Sequence, residues 1–199
     1  MEHFHTESIP DPDPSAAPEN EGGLRRMLID IIETVLLSVV LFLGINAVSA
    51  RIRVESISMQ PTLYAGDFVI VNKVAYKFGE VDRGDVIVFR FPPDPDREPY
   101  IKRIIGLPND IVRVSQGKVY VNNNPLQEGY IKAAPTYEGE WRIPEGSLFV
   151  LGDNRNNSSD SHTWGTVPME YVIGKALFVY WPLEEWGAIK HDATASAAP

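Results

Sequence analysis

The chain has 199 residues, 44% of them hydrophobic, and a formal net charge of −9, enough for one folded domain plus an anchor. The acid excess sets nucleic acid aside as a partner. The lack of cysteine excludes disulfides and thiolate chemistry, and four histidines, with only His162 inside the expected domain, argue against a multi-histidine metal site.

Residues 1–23 are rich in Pro, Glu, Asp, Ser and Ala. They show no apolar periodicity and are expected to form a disordered tail. Arg25 and Arg26 then precede an apolar run from Met27 to Ala50. Asp30 and Glu33 interrupt its first turns, so the charge-free part is 34–50, the short limit for a spanning helix. The run has no polar face from Val35 to Leu43, which favours a transmembrane anchor at 24–50 over a buried soluble helix. Val48-Ser49-Ala50 also reads as a small-residue cleavage site, but the long tail in front argues for a retained anchor. Arg25 and Arg26 before the run balance Arg51 and Arg53 after it, so charge alone leaves the orientation open.

From Arg51 the period changes to two: Ile52, Val54 and Ser56 alternate with Arg53 and Glu55, as on a half-buried strand. Further strands are expected at 67–72, 86–89, 100–106, 111–114, 118–121, 147–152 and 174–181, separated by turns such as Arg83-Gly84-Asp85 and Gln116-Gly117. Residues 127–146 are polar with Gly, Pro and aromatics, and read as an irregular excursion. The predicted architecture is mainly β: an antiparallel, barrel-like domain over 51–184, hung from one helix and followed by a flexible tail at 185–199.

Three stretches carry candidate chemistry. In Ser56-Ile57-Ser58-Met59-Gln60-Pro61-Thr62-Leu63, two hydroxyls precede a backbone that Pro61 constrains. A serine is a poor nucleophile without a base. Lys102 lies in the apolar segment Tyr100-Ile101-Lys102-Arg103-Ile104-Ile105-Gly106, where alternation gives it the same face as Tyr100 and Ile104. Two readings stand at this point: a lysine snorkelling at a strand edge, or a buried amine whose lowered pKa makes it a general base. Gly152 to Ser161 form a dense polar loop after an apolar strand. Its Asp-x-Asn-x-Asn opening hints at a calcium loop, but the required glycine and terminal glutamate are not in place. The functional alternative pairs Asp153 with Arg103, bonds Ser158 to the lysine amine, and has Asp160 orient Ser158 or a neighbour.

Taken together, these stretches resemble bacterial type I signal peptidases, membrane-anchored Ser/Lys proteases. Ser58-Met-x-Pro-Thr-Leu63 is similar to their nucleophile box, Arg83-Gly84-Asp85-Val86-Ile87-Val88-Phe89 to a structural box, Tyr100 to Asp110 to the lysine box, and Gly152 to Ser161 with Trp164-Gly165 to the last box. The resemblance covers about 27–181, with the boxes in order. It implies Ser58 as nucleophile, Lys102 as general base, and an oxyanion hole from the Ser58 N–H and the Ser56 hydroxyl. It further implies Ser158 as the serine that orients the amine, an Asp153–Arg103 salt bridge, and Asp160 as a structural acid. Val54, Met59, Leu63, Tyr100 and Ile101 would line shallow pockets selective for Ala-x-Ala. No metal or cofactor is implied. The expected partners are the lipid bilayer and preprotein signal peptides emerging from the secretion translocon, with the catalytic domain on the outer face of the plasma membrane. Two departures stand beside the dyad: Asn156 where the family usually has Asp, and His162 where it has Arg. A catalytically idle peptide-binding domain and a Ser/Lys self-cleaving regulator are the competing classes. The acidic N-terminus lacks the latter's DNA-binding domain.

Overall fold

The structure, a computed structural model, describes residues 20–191, with side chains from residue 23. The tail expected at 1–23 lies outside the described residues up to 19, and that expected at 185–199 lies outside them from 192. Two compact units divide at Gly44.

Helix α1, Asn20–Val48, of 29 residues, belongs to the first unit as far as Gly44, and its last turn from Ile45 belongs to the second. Within its Gly23–Val48 stretch an 18-residue window reaches a mean hydropathy of 2.4. At about 1.5 Å per residue these 26 residues reach about 39 Å, more than the roughly 30 Å of a bilayer core. It is the one helix among the described residues long and apolar enough to cross a membrane. Thr34 and Ser38 return their hydroxyls to the carbonyls of Asp30 and Thr34, at 2.7 Å each, so neither presents an unsatisfied donor to an apolar surround. The helix begins four residues before the expected 24 and stops at Val48. Ser49 and Ala50 belong to the first strand instead, because their backbones pair with Asn72 and Val71.

The second unit is antiparallel β, as expected. Its strands are β1 (Ser49–Arg53), β2 (Phe68–Asn72), β3 (Val86–Phe89), β4 (Tyr100–Gly106), β5 (Ile111–Ser115), β6 (Lys118–Val121), β7 (Asn124–Pro125), β8 (Gly139–Arg142), β9 (Ser147–Leu151), β10 (Val167–Pro168), β11 (Val172–Trp181) and β12 (Gly187–Ala188). Two short helices, α2 (Ala75–Phe78) and α3 (Ser161–Trp164), interrupt them. The larger sheet runs β1-β2-β11-β3-β4-β9-β10, with β12 added on β11; the smaller runs β7-β6-β5-β8.

The β3–β4 register explains how the larger sheet holds polar groups inside an apolar body. Ile87 faces Lys102 and Phe89 faces Tyr100, while Val88 faces Ile101 and Val86 faces Arg103. Successive side chains on a strand leave by opposite faces. One face of β3 therefore joins the cluster of Val69, Val71 and Leu63, and the other joins that of Ile104, Leu148 and Val167. All four β3 residues are buried. Lys102 and Arg103, adjacent in sequence, enter opposite layers.

Three sequence expectations are corrected. The strand expected to carry Ser56 ends at Arg53, and 56–63 is a run of bends and turns closed by Thr62 N–H to Met59 O at 2.8 Å and Leu63 N–H to Met59 O at 3.0 Å. The excursion at 127–146 contains β8, which pairs with β5. The segment from 185 to 191 is held to the domain rather than loose: β12 pairs with β11, Ile189 is buried, and the Lys190 carbonyl accepts from Arg103 Nη1 at 2.8 Å.

Candidate active site

Ser58 sits in the turn run after β1 and is 5% exposed. Its loop is fixed from both sides. Met59 and Leu63 are sunk at 0% exposure in the core. The Ser58 carbonyl accepts from Asn154 N–H at 3.0 Å, and Asn154 Nδ2 reaches the Ile57 carbonyl at 3.2 Å. A small side chain on such a loop has little freedom left.

Lys102, at 3% exposure on β4, brings Nζ to 2.8 Å from Ser58 Oγ and donates to the Ile101 carbonyl at 2.9 Å. The Tyr100 ring centre lies 5.2 Å from Nζ. Burial pulls the amine down from the usual 10.5 to about 8, against the opposing pull of the Asp160 and Asp153 carboxylates. The snorkelling alternative fails on that burial. Ser56 is exposed, and its hydroxyl is 3.0 Å from that of Ser58.

A cleft of about 650 Å³ opens over these groups. One wall is the chain from Arg51 to Ser58 and the other is Glu98 to Lys102. Both walls carry unpaired strand edges. Among the described residues β1 ends the larger sheet and pairs only with β2, and the pairing of β4 with β9 begins only at Arg103. An extended peptide laid between them meets an unpaired backbone edge on each side, although the Ile101 carbonyl on β4 already accepts from Lys102 Nζ. Of the expected pocket residues, Val54, Tyr100 and Ile101 line the cleft. Met59 and Leu63 do not: they anchor the nucleophile loop to the core, with no surface left to meet a ligand.

Behind the dyad lies a second polar layer. Arg103 grips Asp153 through two bonds of 2.9 and 2.7 Å, both side chains fully buried. Thr62 adds a hydroxyl bond of 2.5 Å to the same carboxylate. The Thr62 side chain follows Pro61, so this bond ties the nucleophile turn to the β9 end of the site. Asp160 accepts from Gly152 N–H at 2.9 Å and from His162 Nδ1 at 2.6 Å, and its side chain caps α3.

Ser158 is a correction. Its hydroxyl is buried but bonds neither the Lys102 amine nor Asp160. The amine is turned to Ser58 and the Ile101 carbonyl, while the Ser158 hydroxyl lies over the Cα of Gly152. Gly152 is required there, since a Cβ would stand inside 3.0 Å of both Ser158 Oγ and the Ser58 carbonyl oxygen.

The two departures from the family pattern turn away from the dyad. Asn156 accepts from Thr136 and donates to the Ala134 carbonyl at 2.9 Å. His162 is stacked on Tyr137 at 3.9 Å between ring centres and bonded to Asp160, with no bond to Ser58. Among the described residues no group of three His, Asp or Glu side chains gathers as a metal site.

The sequence reading passed over Glu128 and Tyr130 in the excursion. Arg103 lies 4.1 Å from the Tyr130 ring centre, and Glu128 pairs at 2.5 Å with buried Arg155. A lone Tyr and Glu in a Pro- and Gly-containing stretch carry no periodic signal.

The family described as signal peptidase, peptidase S26, matches residues 28–181. A probable signal peptidase I-2 of Synechocystis is 44% identical over 176 residues, spanning 85% of this chain and 80% of that protein. A signal peptidase I of Leptolyngbya laminosa is 45% identical, spanning 81% and 84% respectively. Thylakoidal processing peptidase 1 of Arabidopsis thaliana is 38% identical across 73% of this chain and 46% of its own length.

Proposed function

The chain belongs to the peptidase S26 family of signal peptidases, and on that premise we propose that it cleaves signal peptides with a Ser58–Lys102 dyad while anchored in the membrane by α1. The observation that carries this reading is an amine 2.8 Å from a hydroxyl, 3% exposed and lowered to about 8.

The chemistry follows from the amine's burial. At pH 7 a group of pKa about 8 is neutral in roughly one molecule in ten, against roughly one in 3,000 at 10.5. Neutral Lys102 takes the Ser58 proton as Oγ attacks the scissile carbonyl. The Ser58 N–H and the Ser56 hydroxyl stabilise the oxyanion. The protonated amine then gives its proton to the leaving amine, and water, deprotonated by the same lysine, hydrolyses the acyl-enzyme. The Arg103–Asp153–Thr62 layer keeps the nucleophile turn in place.

The substrate lies extended between the free edges of β1 and β4, with Val54, Tyr100 and Ile101 supplying apolar wall and favouring small residues of the Ala-x-Ala type before the cut. The catalytic domain works on the outer face of the plasma membrane, next to signal peptides leaving the translocon. Sharing one bilayer with the substrate raises its local concentration and offsets shallow pocket contacts.

The test uses the full chain in detergent with a preprotein ending its signal in Ala-x-Ala. Ser58→Ala and Lys102→Ala each abolish processing while retaining the folded far-UV spectrum. Normal cleavage by either variant refutes the dyad. Equal cleavage of a preprotein with Leu in place of both alanines refutes the specificity.

A further inference from the structure

The stretch 127–137 within the excursion is left unused by the dyad chemistry, yet it contacts the residues around the dyad at four places. Tyr130 lies under Arg103; Glu128 pairs with Arg155; Thr136 and Ala134 bond Asn156; Tyr137 stacks on His162. Of these, the Glu128–Arg155 link is buried at both ends, and Arg155 is 1% exposed. Arg155 Nε in turn donates to the Gly152 carbonyl at 3.1 Å, and Gly152 is the residue whose Cα abuts the Ser58 carbonyl. The Tyr130 hydroxyl donates to Glu128 at 3.0 Å and closes the cluster.

We propose that Glu128 is a positioning residue for the reaction: its charge holds Arg155 on the Gly152 carbonyl and away from the two carboxylates that face Lys102. The inference rests on the Ser58–Lys102 reading above. Charge balance gives it a direction. Four carboxylates lie in this region. Glu128 neutralises Arg155, and Asp153 is held by Arg103. Asp160 accepts from Gly152 and His162, and it is the first of two carboxylates that pull on the Lys102 proton, Asp153 being the second. Glu138 lies at the surface beyond, bonded to Gln116 N–H. Tyr130 and Tyr137, both pushed up by burial, are the neutral acids that flank Arg155.

Removing the Glu128 charge leaves a buried guanidinium unpaired, a state far costlier than losing both partners. Arg155 and Asp160 both bond Gly152, one at its carbonyl and the other at its N–H, so the uncompensated guanidinium charge stands beside Asp160 and weakens that carboxylate's hold on the Lys102 proton. Two consequences follow. The Gly152 backbone loses its anchor, and a nucleophile displaced by a fraction of an ångström to 1 Å loses about 10- to 100-fold in rate. The ascending limb of the pH–rate profile also moves to lower pH, a change that loosening of the fold alone does not produce.

The experiment compares wild type, Glu128→Gln, Glu128→Asp, the double variant Glu128→Gln/Arg155→Met and Lys102→Ala, each as full chain in detergent. A preprotein is cleaved at a series of pH values, with a melting curve for each protein. Glu128→Gln is expected to lower kcat by about 10- to 100-fold with KM within about twofold, and to shift the profile midpoint down. Glu128→Asp recovers part of kcat, and the double variant returns the midpoint to that of wild type. Should Glu128→Gln fail to fold, the double variant, which buries no lone charge, still carries the test: its midpoint must match wild type, and a displaced midpoint overturns the charge argument. An unmoved midpoint in Glu128→Gln, with any rate loss accounted for by melting, overturns the inference while leaving the dyad intact. Turnover by Lys102→Ala overturns the dyad reading itself.

Discussion

Replacing Lys102 with Met tests the site through stability as well as activity. The amine falls from 10.5 to about 8 because it is buried, so the folded state binds its proton less tightly than the unfolded chain does. At about 1.4 kcal/mol per pKa unit, the charged amine costs the fold about 3 kcal/mol. The sign is fixed by the direction of the shift. Below pH 8 the lysine is charged in both states and the full cost is present. Between 8 and 10.5 the folded protein has released the proton and the unfolded chain has not, so the cost declines; above 10.5 it is gone. Methionine has similar reach and no charge. Against its gain stand the lost bonds to Ser58 Oγ and the Ile101 carbonyl, about 1 kcal/mol for the exchange. Lys102→Met should therefore be inactive yet more stable than wild type by about 2 kcal/mol at pH 7, and as pH rises past 10.5 the balance moves by about 3 kcal/mol, so that wild type becomes the more stable by about 1 kcal/mol. Urea unfolding in detergent, followed by tryptophan emission across that pH range, measures it. A variant no more stable than wild type, with a gap that does not change with pH, would mean that the amine is solvated and the proposed base is an ordinary lysine.

Two further perturbations probe the groups around it. Gly152→Ala forces a Cβ against Ser158 Oγ and the Ser58 carbonyl; it should lower kcat by about 100-fold or more while KM changes little, and a wild-type rate would show that the nucleophile loop does not depend on this approach. Ser56→Ala removes the exposed hydroxyl 3.0 Å from Ser58 Oγ and should cost about 10²–10³ in kcat if it serves the oxyanion; a rate within a factor of about three assigns that role to backbone alone.

Much of the dyad's setting was legible because it is periodic. The alternation of Tyr100 to Gly106 separates Lys102 from Arg103, and the β3–β4 register sends one toward Ile87 and the other toward Val86. The switch from an unbroken apolar run to period two separates the helix from the β unit, to within two residues at the Val48 end. What escaped is what periodicity does not encode. Met59 and Leu63 flank the nucleophile and looked like pocket walls, but a turn run has no fixed inside and outside, and both face the core. The link from Glu128 to Arg155 joins a strandless stretch to a turn, so neither end carries a pattern. The Ser158 role came from the family resemblance, and the direction of its hydroxyl depends on a loop path that a motif match leaves free.

The two adjacent cations of β4 show how the fold assigns opposite tasks to similar side chains. Both are buried, and each faces a price for its charge that only a partner can offset. Arg103 meets the Asp153 carboxylate in two bonds and remains an ion, which suits a strut. Lys102 meets a hydroxyl and a carbonyl, neither of them charged, and its carboxylates act only from a distance. Its burial is therefore left only partly compensated, and the proton is held more weakly than on a free lysine. Exchanging the pair would break both tasks, because a guanidinium at 102 keeps its proton at any pH the protein survives, and an amine at 103 satisfies Asp153 with one bond where two are made. The strand thus supplies a base and its support from neighbouring positions, and the difference lies in what the opposite layers offer each side chain.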